Sequence, residues 1–265
     1  MNIFTREMKA HRRSLIIWCI GMVGMIGSGM GKYAGYASSG ESINDILAIF
    51  PKSLLNIMGI SSFDLSTAMG FYGVTFLYLV LISSTHAAML GANIIAKEER
   101  DKTAEFLFVK PVSRNKVITS KLLAVLLNSI ILNTVTLIAS LVIVSYFNES
   151  DGILRDIIML MVGMFGLQLI FICIGSLIAS VSKKSKTAAS TATGVLLITF
   201  VLYMVINMYD KLENLKYLTP FKYFEAESII LGNGIDFIFI ILSVVIIAVS
   251  LVGTYVFYNK RDLMV

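Results

Sequence analysis

Long runs free of Asp, Glu, Lys and Arg alternate with short charged stretches along this chain. A helix needs about 20 mostly apolar residues to span a bilayer, because each residue rises about 1.5 Å across a hydrocarbon core of about 30 Å. Applied here, that length predicts six spans: Leu15–Gly31, Gly70–Ala96, Leu122–Phe147, Ile157–Val181, Thr187–Tyr209 and Ile235–Tyr258. All three prolines, Pro51, Pro111 and Pro220, fall between spans, where no helix has to continue through them. The predicted fold class is an all-α membrane protein, with residues 1–265 forming one transmembrane domain.

The segments between spans carry patterns of their own. Asn2–Ser14 reads as an amphipathic, interfacial lead-in helix, with Ile3, Phe4 and Met8 on one side and basic groups facing lipid phosphates. A basic N-terminus before an apolar run also resembles a secretory signal, with small residues near Ala37; five further spans make an uncleaved signal-anchor the simpler account. In the stretch Ile94–Lys121, charges surround Phe106, Leu107 and Phe108 before a break at Pro111. An apolar triplet amid charges predicts a short helix lying on the membrane interface, one side in lipid or a partner and the other in water. Beyond the opposite ends of the spans, Lys32–Met69 mixes Gly and Ser with an apolar patch. Thr219 as N-cap, Pro220 at the first helical position and Gly232 as a stop predict a helix over Pro220–Leu231.

Composition reinforces the bilayer reading, since 57% of residues are apolar and only 15% charged. The net charge of +5 does not mark a nucleic-acid binder, because the cations sit in short loops and form no basic domain. They follow the positive-inside rule. Arg6, Lys9, Arg12 and Arg13, the cations from Lys97 to Lys121, Lys183, Lys184 and Lys186, and Lys260 with Arg261 share one side, which places both termini in the cytoplasm. The other side holds only Lys32, Lys52, Arg155, Lys211, Lys216 and Lys222. Cys19 and Cys173 lie inside apolar runs and read as packing thiols.

Catalytic chemistry is missing. With two histidines, His11 and His86, and no paired carboxylates in a span, neither a two-histidine metal helix nor an acid–base pair can be built. Gly31 and Lys32 are the nearest approach to a phosphate loop, but Tyr33 replaces the required hydroxyl residue and Ile26 the upstream glycine. Inside the spans stand His86, Asn128, Asn133 and Gln168 and little else that is polar, so ion-driven transport has no relay and energy must arrive from outside the bilayer. His86 reads as a helix-packing histidine, with a substrate or gating role as the alternative. Gly27, Gly31 and Gly35, and Gly175 with Ala179, recur at four-residue spacing and fit either a subunit interface or close packing within one chain.

The run from Glu98 through Thr103, Glu105 and Leu107 to Pro111, Val112, Ser113, Arg114 and Lys121 resembles the loop after the second span of type 2 ABC exporter permeases. Thr219–Gly232 resembles that family's external segment before the last span, Tyr258–Leu263 its usual ending, and FPKSLLNIMGI with LSTAMGFYG a bacterial subgroup. Lys102 departs from the pattern, standing where the family commonly has Gly; a continuous helix through Lys102 would serve in place of a tight turn.

The resemblance implies a bacterial inner-membrane permease subunit that forms a path with a second, identical or related, subunit. A separate ABC ATPase would drive it, and ATP and magnesium would bind there, leaving this chain without a cofactor. It implies ATPase coupling through Glu98, Thr103, Glu105, Phe106, Phe108, Pro111 and Arg114, and an external gate at Pro220, Phe221, Tyr223 and Phe224. Ser182–Lys186 is the next place to seek coupling. A self-protection or sensor subunit that binds a peptide or partner without transport is the alternative. A membrane protease fits least, because Thr103 stands where a paired-glutamate pattern at Glu98 and Glu99 would want Arg. The aromatic and Met content suits a hydrophobic or amphipathic cargo, and equally suits plain lipid-facing helices.

Overall fold

The computed structural model describes residues 2–39, 47, 49–57, 59–60, 63–103, 112–147, 152–232 and 234–261. Its helices are α1 (Ile3–Ser39), α2 (Lys52–Ile57), α3 (Ala68–Arg100), α4 (Arg114–Phe147), α5 (Ile153–Val181), α6 (Ala188–Met208), α7 (Ala226–Ile230) and α8 (Phe237–Lys260). Short 3₁₀ turns lie at Ser185–Thr187, Asp210–Leu218 and Pro220–Lys222, and there is no strand among the described residues. The helices long and apolar enough to cross a membrane are α1, α3, α4, α5, α6 and α8. They coincide with the six predicted spans.

Several helices run past the predicted ends, and at the basic side α1, α3 and α4 do so into charged sequence. α1 has 37 residues, about 55 Å at the helical rise, so it outruns a hydrocarbon core of about 30 Å. The lead-in segment is therefore continuous with the first span. Phe4 and Met8 pack on the core, and Arg6 turns inward to carboxylates and not outward to lipid phosphates.

α3 starts at Thr67, whose hydroxyl accepts the Gly70 N–H at 3.0 Å and donates to the Asp64 carbonyl at 2.8 Å. It stops just after Arg100. There the N–H of Lys102 bonds to the Glu99 carbonyl at 3.3 Å and that of Thr103 to the Glu98 carbonyl at 2.8 Å. This crossed pair satisfies the last free carbonyls and requires a left-handed residue between helix and loop. Lys102 supplies it with φ 54°, among the described residues the only non-glycine with positive φ. The continuous helix through Lys102 is thus overturned: the tight turn that glycine would favour is made here by a lysine.

The core is built on α3 and α5. Of their most apolar stretches 72% and 61% are buried, against 22% for α1 and for α8. Their crossing is backbone on backbone. A methyl on Gly91 would lie 2.4 Å from the Ile172 carbonyl oxygen, and one on Gly175 would lie 2.4 Å from that of Ala88. Gly175 therefore serves packing within the chain, whereas Gly27, Gly31 and Gly35 on α1 face open space.

At the end of the bundle away from the basic loops, the predicted Pro220–Leu231 helix is two pieces. The Pro220–Lys222 turn and α7 are separated at Glu225, whose ψ of 128° is extended. Thr219 does not cap it; its hydroxyl donates to the Thr199 carbonyl at 2.8 Å and ties the segment to α6. The predicted stop holds, with Gly232 at φ 82°.

Candidate functional site

Sequence patterns placed the coupling residues in one loop; the structure shows what that loop grows from. Glu98, in the last turn of α3, is 3% exposed. Its carboxylate pairs with Lys121 of α4, which is fully buried, and with Arg6 of α1 at 2.8 Å. Lys121 also donates to the Ile94 carbonyl at 2.6 Å. Beside it Glu7, equally buried, pairs with Arg6 at 2.8 Å and with Lys97 at 2.7 Å. Two carboxylates and three cations from three helices thus pair with one another, so that each of the buried charges Glu7, Glu98 and Lys121 has a partner of opposite sign.

A second set of contacts ties in the C-terminal end. Arg261, just after α8, donates to Glu99 at 2.5 Å and to the carbonyls of Ala179 at 2.8 Å and Ser182 at 2.5 Å, closing the end of α5. Arg114, where the loop returns to helix, donates to the carbonyls of Asn259 at 3.0 Å and Arg261 at 2.8 Å. The Asn259 amide donates to Asn115 at 2.6 Å, and the Thr119 and Tyr255 hydroxyls share a bond of 2.8 Å. Both roots of the loop are therefore fastened to other helices, the first to α1 and α4 and the second to the end of α8.

Of the predicted coupling residues, Glu98 and Arg114 are spent on contacts inside the chain, and Thr103 is exposed at the loop's first root. Glu105, Phe106, Phe108 and Pro111, with the predicted interfacial helix, lie outside the described residues. Sequence reasoning missed Glu7, Lys121, Glu99 and Arg261 as partners. Their separations along the chain carry no local signal, although acidic residues within otherwise basic stretches are a trace of it.

At the other end, the predicted gate residues are stapled into the helices by aromatic packing. Phe221 lies 5.1 Å from Phe200, edge-on, and 5.5 Å from Phe171. Tyr223 stacks on Phe239 at 5.0 Å and donates to the Tyr217 carbonyl at 2.5 Å. Burial raises the Tyr223 phenol above its ordinary pKa and keeps it a donor. Phe224 lies over Gly163 and Gly166, where an added methyl would come within 3.2 and 2.8 Å of its side chain. Pro220 is buried at the start of the turn. Next to them Lys222 pairs with Glu225 at 2.7 Å and donates to Asn207 at 2.9 Å, on the wall of a cavity of about 270 Å³.

His86 is 4% exposed and its ring meets Trp18 of α1 at 4.9 Å, the position of a residue that packs two helices. No group of three or more His, Cys, Asp or Glu side chains among the described residues is placed to hold a metal. At one end ion pairs join the helices to one another, and at the other aromatic rings pack the 219–224 segment against them.

Six helices long and apolar enough to cross a bilayer make this a multi-pass membrane protein. The family is specific: the model of the ABC-2 family transporter protein matches residues 1–263, and the chain belongs to that family, the membrane subunits of ABC transporters. Such subunits are generally non-catalytic and work with an ATPase. A search of curated proteins finds no match.

Proposed function

We propose that this chain is the permease subunit of an ATP-driven exporter in a bacterial inner membrane, with both termini cytoplasmic. It pairs with a second permease subunit, identical or related, around the translocation path. A separate ATPase binds ATP and magnesium, and its dimerisation drives the pair between inward-facing and outward-facing or closed states.

The observation that carries this reading is the double rooting of the 101–113 loop. A push on Thr103, Glu105, Phe106 or Phe108 reaches α1 and α4 through Glu98, and α8 through Arg114. Phe106 and Phe108 supply the apolar contact to the ATPase, Glu105 the charged one, and Pro111 ends the docking helix. Glu98 and Arg114 act one step inward, as the links that spread the force. At the far end Pro220, Phe221, Tyr223 and Phe224 form the external gate segment. The open glycine face of α1 at Gly27, Gly31 and Gly35 supports a close approach of the second subunit.

Reconstitution tests the reading: vesicles containing the chain and its ATPase accumulate an amphipathic peptide only with ATP, whereas a sensor subunit binds the peptide without moving it. Orientation is checked separately by cysteine labelling. Ser113→Cys is silent to an impermeant reagent in intact cells and reactive after the membrane is opened; labelling from outside contradicts the topology. The chain purified without its ATPase binds no nucleotide, since it has no phosphate loop.

A further inference from the structure

The α5–α6 connection and the end of α8 line an open cavity of about 770 Å³. Five cations line it, Lys183, Lys184, Lys186, Lys260 and Arg261, against one carboxylate, Glu99. Glu99 is already neutralised by Arg261, whose guanidinium also takes the Ala179 and Ser182 carbonyls and so closes the inner wall. No ion pair joins Lys183, Lys184, Lys186 or Lys260 to a carboxylate among the described residues. Here the 3₁₀ turn Ser185–Thr187 separates two spans, so the lysines radiate from a tight bend and do not line one helix face. Thr187 is the N-cap of α6, and the positive end of that 21-residue helix adds to the same field.

The cavity is not purely aqueous. Val181 and Phe257, both part of its lining, are 53% and 47% exposed and belong to the apolar surfaces of spans. An occupant must therefore bring an anionic head for the lysines and an acyl chain for those two side chains. Free phosphate satisfies only the first requirement. We infer that this cavity is a binding site for the headgroup of an anionic phospholipid, held where α5, α6 and α8 meet. Its volume lies within the range of small-ligand sites, and basic pockets between membrane helices are suited to such headgroups. A lipid seated there would brace the end of α8 that Arg114 and Arg261 also hold. The inference depends on the cavity alone and stands whether or not the chain exports anything.

The test uses the full chain in nanodiscs of equimolar phosphatidylglycerol and phosphatidylcholine, with retained lipid counted by native mass spectrometry. Wild type should retain phosphatidylglycerol preferentially. The triple variant Lys183→Gln, Lys184→Gln, Lys186→Gln should lose that retention by about tenfold or more, given what each lysine contributes near an anionic headgroup. The control Lys32→Gln, Arg155→Gln, Lys211→Gln removes the same charge from exposed positions away from the cavity and should retain the lipid. Equal loss in both variants would mean diffuse surface attraction and overturn the site, as would displacement by inorganic phosphate. A second measurement needs no variant. Phosphatidylglycerol with a photoreactive group near its head should label peptides within residues 180–187 and 257–261, and labelling confined to other segments overturns the inference.

Discussion

The two ends of the bundle are held together by opposite means. At the basic end, buried Glu7, Glu98 and Lys121 are joined by ion pairs across three helices, and Arg261, just after α8, pairs with Glu99 of α3 beside them. At the other end, Phe221, Tyr223 and Phe224 lie against rings and glycines. Charge networks have strict partners, so a displacement of one member must be followed by the rest or leave a charge unpaired. Aromatic contacts prefer particular ring geometries but leave no charge unpaired when they part. Displacing a member of the basic end therefore disturbs partners on other helices through unpaired charge, which the opposite end does not.

The comparison breaks most sharply at Glu98. Glu98→Ala leaves the buried Lys121 ammonium with only the Ile94 carbonyl, and a stranded buried charge costs about 3–5 kcal/mol. The double variant Glu98→Leu, Lys121→Met removes both charges and should recover to within about 1 kcal/mol of wild type. Thermal unfolding in detergent distinguishes them; equal losses in single and double variants would show that the pair is not coupled. Phe221→Ala should cost somewhat less, about 2–4 kcal/mol for a buried ring. Its effect belongs at the aromatic end, so hydrogen exchange should rise around 219–232 while the last turn of α3 stays protected. The smallest effect is at Lys102. Lys102→Gly relieves a left-handed lysine and should stabilise by about 1 kcal/mol, whereas Lys102→Ala should remain within a few tenths of wild type. Destabilisation by the glycine would contradict the turn.

The six spans were legible because a run of 20 apolar residues needs no partner to be recognised. Their charged ends were not. Reading Lys97 and Lys121 as loop residues shortened α3 and α4, whereas Glu7, 90 positions from Lys97, and Glu98, 23 positions from Lys121, meet them at the helix ends. No local pattern announces such a pair. The turn at Lys102 shows the reverse: the family's usual glycine was the correct clue, and the lysine obscured it by filling a left-handed position at some cost. In the gate segment, Pro220 and Gly232 marked the ends, but the aromatic residues between them pack in different directions, against α5, α6 and α8, which one regular helix would not allow.

Glu98 and Arg114, which the resemblance implied for coupling, make contacts inside the chain. Both hold the loop to its own bundle. This moves the expected ATPase contact outward to Thr103, Glu105, Phe106 and Phe108.

Assembly and stimulated ATP hydrolysis of Phe106→Ala, measured beside wild type, test that contact most directly. Removing a ring at the centre of a packed interface costs a few kcal/mol. The account predicts that Phe106→Ala inserts and folds normally but co-purifies poorly with its ATPase or loses substrate-stimulated hydrolysis. If assembly and stimulation are both unchanged, the loop does not couple the two subunits, and the contact must be sought first at Ser182–Lys186.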